Sequence, residues 1–151
     1  MSVPKSRRKD AQVQFIQDAL NLRRRTIHIV KKFPKSYRWI ITNNLLELAT
    51  KIFRCSIEGN AVYMHSKMDA QDFAFRRRCF VEAYSAADAM SAEITFCHEL
   101  LMEGENIFRD MEDRERKFEI WIGLCVSAKN RLKALIKSDK ERYEAWRKGA
   151  G

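Results

Sequence analysis

Residues 36–62 read SYRWIITNNLLELATKIFRCSIEGNAV, and the apolar side chains of this stretch decide the fold. Ile41, Leu45, Leu48, Ile52, Cys55, Gly59 and Val62 follow one another in alternating steps of 4 and 3. That rhythm holds them on one face of an α-helix and makes a seam against neighbouring helices. Further apolar residues stand off the seam, among them Trp39, Ile40, Leu46, Phe53 and Ile57. A helix that is apolar beyond one stripe is either central in a large core or buried again at an interface, and a four-helix bundle has no central helix. Ile40, Leu46 and Phe53 are therefore the expected contacts with a second subunit. Ser36 is the expected cap of this helix. Gly59, on the seam, either admits a neighbouring backbone closely or marks a helix end.

The same spacing extends to both sides. Upstream, Gln14, Gln17, Asp18, Asn21, Arg24, Arg25, His28, Lys31 and Lys32 form a polar stripe opposite Phe15, Ala19, Leu22, Ile29 and Val30. This predicts a helix over about residues 11–32, capped by Asp10 and stopped by Pro34. A third helix is predicted from near Asp69, carrying Phe73, Phe80, Ala83, Ala87, Met90, Ile94, Cys97 and Leu101. After a break around residues 104–110, a fourth carries Phe118, Trp121, Cys125, Ala128, Leu132 and Leu135 to about Arg147. The chain has 151 residues but only Gly 5 and Pro 2, too few turn formers for an all-β domain. The expectation is an all-α single domain over 1–151, an antiparallel up-down-up-down four-helix bundle. A basic tail over 1–10 and a frayed end over 148–151 complete it. An extended coiled-coil hairpin is disfavoured, because the apolar faces are wider than a strict two-position seam.

Lys+Arg 29 against Asp+Glu 20 leaves a net charge of +9, and the excess is unevenly placed. Residues 1–38 hold 11 basic and 2 acidic side chains, and residues 120–151 hold 8 and 3. Residues 99–119 are acidic, with 4 basic against 8 acidic. In an up-down-up-down bundle the start of the first helix, the start of the third and the end of the fourth share one end. Arg7, Arg8 and Lys9, then Arg76, Arg77 and Arg78, then Lys137 and Lys140 would gather there. Arg24 and Arg25 extend the basic surface along the first helix, and Lys129, Lys133, Lys137 and Lys140 share one face of the fourth. Such a surface suits a polyanion, and backbone-directed nucleic-acid binding is the leading inference from charge. Base-specific readout is not expected, since no helix-turn-helix, zinc-finger or RNA-recognition motif is present.

Catalytic chemistry finds no anchor. The Glu-x-x-His pairs of di-iron bundles are absent, because the residues three before His28, His65 and His98 are Arg25, Val62 and Thr95. Glu93, His98 and Glu99 form a surface acid–histidine cluster, and there is no phosphate loop or nucleophile elbow. No catalytic residue, metal or cofactor is expected. Cys55, Cys79, Cys97 and Cys125 lack paired spacing and read as reduced core residues. With no signal peptide and no long uncharged apolar run, a soluble cytoplasmic protein is expected. Trp39, Trp121 and Trp146 read as core or interface anchors, with Trp146 near the polar tail standing apart.

Short motifs also carry a resemblance. Phe33-Pro34, Thr42, Leu45, Ala49, Ile52 and Glu58-Gly59 resemble the loop and second helix of four-helix-bundle proteins encoded in large-subunit rRNA intervening sequences. Cys55-Ser56 departs from the Asn-Ile common there. The opening residues 1–6, Phe73 with Arg76–Arg78, Phe80 and Glu82-Ala83, and Ser138-Asp139 with Arg142-Tyr143 look more like a sister branch. That branch is the accessory variability determinant (Avd-like) proteins of diversity-generating retroelements. The resemblance implies a basic homopentamer without catalysis, which associates with a reverse transcriptase and its template RNA, and with cDNA, to support mutagenic cDNA synthesis. An rRNA-intervening-sequence-type bundle without a polymerase partner and a basic helical protein adaptor are the competing expectations.

Overall fold

A computed structural model describes residues 5–105, 107 and 112–149, with side chains from residue 14 onward. Four helices pack against one another: α1 Lys5–Val30, α2 Asn43–Asn60, α3 Ala70–Met102 and α4 Arg114–Gly149. No strand occurs among the described residues. At ~1.5 Å per residue, α3 and α4 are each about 50 Å long.

Several boundaries differ from the sequence reading. Asp10 does not cap α1, because the helix already begins at Lys5 and the expected tail is helical from there. Its last turn unwinds before Pro34, with the Lys31, Lys32 and Phe33 amides donating to Ile27, Ile29 and Val30 carbonyls. Ser36 lies inside a 3-10 turn at Lys35–Tyr37, because Pro34 sits extended ahead of it and its carbonyl accepts from the Tyr37 amide. A π-helical turn at Arg38–Thr42 follows, where the Asn43 amide donates to the Arg38 carbonyl five residues back. Such a turn adds one residue to the local repeat. Trp39 and Ile40 face outward at 81% and 64% exposure, while Ile41 is buried. Asn44 Nδ2 donates to the Ile40 carbonyl at 3.0 Å. At the other end of the chain, Lys148 and Gly149 still belong to α4.

The third helix starts where expected, and the structure adds that Asp69 caps it, its carboxylate accepting from the Asp72 amide at 2.8 Å. The helix closes on a Schellman motif: Glu105 N–H donates to the Leu100 carbonyl and Gly104 N–H to that of Leu101. This needs a left-handed residue, and Gly104 has φ 95°.

The core follows the predicted faces closely on α3 and α4. Phe80, Ala83, Ala87, Met90, Ile94 and Cys97 meet Phe118, Trp121, Cys125, Ala128 and Leu132, and all are buried. On α2 the deepest positions are Leu45, Ala49, Ile52, Cys55, Ser56 and Gly59, with Leu48 partly buried and Val62 beyond the helix. Contacts between α3 and α4 step in opposite directions along the two helices. Phe73 stacks on Tyr143 at 4.0 Å, Asp88 meets Lys129 at 2.7 Å, and His98 meets Glu115 at 2.9 Å. On the α1 side, the Trp121 indole N–H donates to the Thr26 hydroxyl at 2.9 Å, and Asp18 pairs with Arg131. Thr26 is fully buried and donates in turn to the Leu22 carbonyl at 2.8 Å. Asp18, read as part of the outer stripe, is thus a link between α1 and α4.

Gly59 admits a side chain rather than a backbone. A Cβ there would stand 2.5 Å from the Phe80 ring, which is fully buried and edge-on to Phe15 at 5.5 Å. Gly123, on the exposed side of α4, has nothing within 4 Å of its virtual Cβ. Gly59→Ala should therefore destabilise by about 1–3 kcal/mol through overpacking, less the ~1 kcal/mol gained in helix propensity. Gly123→Ala should stabilise by about 0.5–1 kcal/mol. Urea unfolding followed by circular dichroism measures both, and a stabilised Gly59→Ala would contradict the packing described.

Candidate nucleic-acid interface

The arginine run of α3 divides by side-chain direction. Arg76 points inward and is only 5% exposed. Its Nε and Nη2 donate to Asp139 Oδ2 and Oδ1 at 2.7 and 3.2 Å, a two-pronged pair with α4. Its Nη1 donates to the Val62 carbonyl at 2.7 Å and reaches the Gly59 carbonyl at 3.5 Å, just beyond and within the last turn of α2. The guanidinium also lies 4.8 Å from the centre of the Phe80 ring. Arg76 is therefore corrected from a surface contact to a structural residue. These four bonds direct its guanidinium to α2 and α4.

Arg77 is four residues after Phe73 and seven before Tyr84, which contact Tyr143 and Lys129 of α4. It stands on the α4-facing side of α3. Arg78 is exposed, lies 5.5 Å from the Phe75 ring centre, and is four residues before Glu82. Glu82 lies 3.8 Å from Cys55 Sγ of α2, so Arg78 belongs to the α2 side of α3. The α4 stripe is also graded. Lys129 is spoken for: Asp88 holds it at 2.7 Å and this hydrogen bond raises its pKa above the ordinary lysine value. Lys133, Lys137 and Lys140 are exposed, and none has an acidic partner within 4 Å among the described residues.

Because Arg76 meets Asp139, the structure brings Arg77 and Arg78 to the level of Lys137 and Lys140. It does not bring Arg24 and Arg25 there. Thr26 meets Trp121, 18 residues before Asp139, which places those two arginines about 27 Å away along α4. The side chains of Arg7, Arg8 and Lys9 lie outside the described residues. Glu105, just after α3, meets the 3-10 turn: Tyr37 Oη donates to it at 2.7 Å and this bond raises the phenol pKa.

Of the expected interface residues, Ile40 is exposed, whereas Leu46 and Phe53 are half-buried against the subunit's own core. Arg23 lies over the Phe53 ring at 5.5 Å. Trp39, Ile40 and Ile57 form the clearer surplus of apolar surface. His98 pairs with Glu115 of α4 rather than with Glu93 or Glu99, beside a cavity of about 290 Å³ floored by Ile94, Phe118 and Ile122. Among the described residues no group of three or more His, Cys, Asp or Glu is placed to hold a metal ion. All four cysteines are unbridged and buried, and burial raises their thiol pKa values, that of Cys97 to about 12. Among the described residues no helix is long and apolar enough to cross a membrane.

No protein-family model, curated protein or solved structure matches this chain. What its surface can do is read from the residues themselves.

Removing one partner of a buried pair strands the other charge in a low-dielectric site. Arg76→Gln or Asp139→Asn should each cost about 3–5 kcal/mol, while an Arg76→Met/Asp139→Leu double variant should recover much of that loss. Additive losses in a double-mutant cycle by urea unfolding would show that the pair is not coupled.

Proposed function

We propose that the chain is a non-catalytic nucleic-acid-binding accessory subunit that acts with a reverse transcriptase and its template RNA in mutagenic cDNA synthesis. One observation carries the nucleic-acid part. Arg77, Lys137 and Lys140 stand together where the start of α3 meets the end of α4, with Arg78 at the same level on the α2 side of α3, and the buried acid between α3 and α4 is neutralised by Arg76. The surplus cations there are exposed or half-exposed and reach solvent. Flexible, hydrated side chains of this kind favour phosphate contacts over base readout. The polymerase partner and the retroelement setting rest on the Avd-like motifs. Within that motif Arg76 serves the fold, which leaves Arg77 and Arg78 for contacts.

An antiparallel up-down-up-down arrangement belongs to the same reading, supported by the opposed stepping of the α3–α4 contacts and of the Thr26–Trp121 and Asp18–Arg131 pairs. Self-association into a ring is supported by the adjacent, exposed Trp39 and Ile40 ahead of α2. The number five comes from the resemblance alone.

Binding should be electrostatic and weakly sequence-dependent. The logarithm of the RNA association constant should fall linearly with the logarithm of salt concentration, by about 0.7–0.9 for each phosphate contact. A Lys133→Gln/Lys137→Gln/Lys140→Gln variant should lower the magnitude of that slope by about 2–3 without unfolding the protein. A salt-independent or absent interaction with RNA would overturn the nucleic-acid reading. Light scattering should give a mass near five times 17.8 kDa, and a monomeric mass would remove the ring.

A further inference from the structure

The end of α4 carries more than charge. A cavity of about 420 Å³ lies between residues 66–68 and 70, at the start of α3, and Tyr143, Trp146 and Arg147 of α4. Its size falls in the roughly 300–1,000 Å³ range of ligand pockets. We infer that this notch takes an unpaired base of single-stranded nucleic acid, stacked on Trp146. The inference rests on the nucleic-acid reading above and adds the kind of strand and the point of contact.

The aromatic wall is built in advance. Tyr143 is stacked on Phe73 at 4.0 Å with an angle of 9° between rings, so its position is set from α3. Arg147 lies 5.5 Å from the Tyr143 ring centre and donates to its hydroxyl at 3.3 Å. Arg142 stands 5.3 Å from the Trp146 ring centre, and Trp146 itself lines the cavity. Met68 is buried and forms the apolar floor. A wall already ordered loses little freedom when a flat ligand enters.

The charge around the wall favours a nucleotide over another flat ligand. Lys67 and Arg147 line the cavity and Arg142 flanks it, and none has an acidic partner within 4 Å among the described residues. Asp69, the nearest acid in sequence, is engaged in capping α3. Glu141 and Glu144 are exposed on the neighbouring turns of α4. Three cations repel a cationic ligand of the kind that aromatic cages hold. They attract one that joins a π-face to a phosphate. The lysine row also leads into the notch: Lys133, Lys137, Lys140, Tyr143 and Arg147 follow in steps of 4, 3, 3 and 4 on one face, over about 21 Å. A strand following the lysines would present its bases to Trp146. A duplex keeps its bases paired and stacked except at its two ends, so the notch favours the single strand.

The test compares oligo(dT) with a duplex of equal length, by fluorescence anisotropy at one salt concentration and then across salt. Trp146→Ala should weaken oligo(dT) binding by about 5- to 100-fold, the loss of one stacked base, and change duplex binding less than about twofold. Its salt slope should stay that of the unaltered protein, because no phosphate contact is lost. Trp146→Phe should restore most of the affinity. In a Trp39→Phe background, oligo(dT) should quench the emission of Trp146, while Trp121 is shielded by complete burial. That readout needs no alteration of the notch, and near-ultraviolet circular dichroism of Trp121 reports whether Trp146→Ala remains folded. Equal losses for both ligands, or no quenching on saturation, would overturn the stacking inference while leaving backbone binding in place. Quenching by an acidic peptide but not by oligo(dT) would assign the notch to a protein partner and also overturn it. Failure of the unaltered protein to bind either nucleic acid would instead refute the broader reading.

Discussion

A guanidinium and a carboxylate taken out of water together hold three of the four helices in register. Desolvating two ions costs several kcal/mol each, and their mutual attraction alone does not reliably offset it. Here the offset is spread over several contacts. Asp139 accepts two bonds from Arg76, and carbonyls at the end of α2 accept others, where the helix dipole already concentrates partial negative charge. The face of Phe80 covers the remaining side. Sliding α3 by one residue against either neighbour would break the fork to Asp139 or the bond to Val62. The pair thus selects one register from the several that a purely apolar seam would accept.

The first helix is tied in by different chemistry. Thr26 joins the Leu22 carbonyl to the Trp121 indole in a fully buried chain of hydrogen bonds, which settles the polar end of the bulkiest core residue. Small residues do the complementary work. Ala19, Ala49, Ala83, Ala87 and Ala128 are all buried, and their short side chains let helix backbones approach where Trp121 and Phe80 leave room. Large and small positions therefore interlock between helices.

Much of this was legible in the residues. The apolar faces of α3 and α4, the start of α3 near Asp69 and the burial of four thiols all follow from spacing and composition, because period and side-chain size are local properties. The direction of Arg76 was not. Charge marks a residue as outward by default, and only the arrival of Asp139 from 63 residues away makes the inward position tolerable. Thr26 escaped for the same reason, since its indole partner lies 95 residues off. The early start of α1 was obscured by Asp10, which reads as a cap wherever local chemistry is considered alone. Of the candidate interface, spacing placed the lysine row together on α4. It could not place Arg24 and Arg25, whose distance from that row depends on how α1 sits against α4.

The π-helical turn at Arg38–Thr42 acts on the chain as a single inserted residue. Trp39 and Ile40 lie within the turn and face solvent, two and one positions before the buried Ile41, which keeps the step of 4 to Leu45 and so begins the α2 seam. Substitution of Trp39 or Ile40 would therefore alter the surface of this turn while leaving the buried seam of α2 intact.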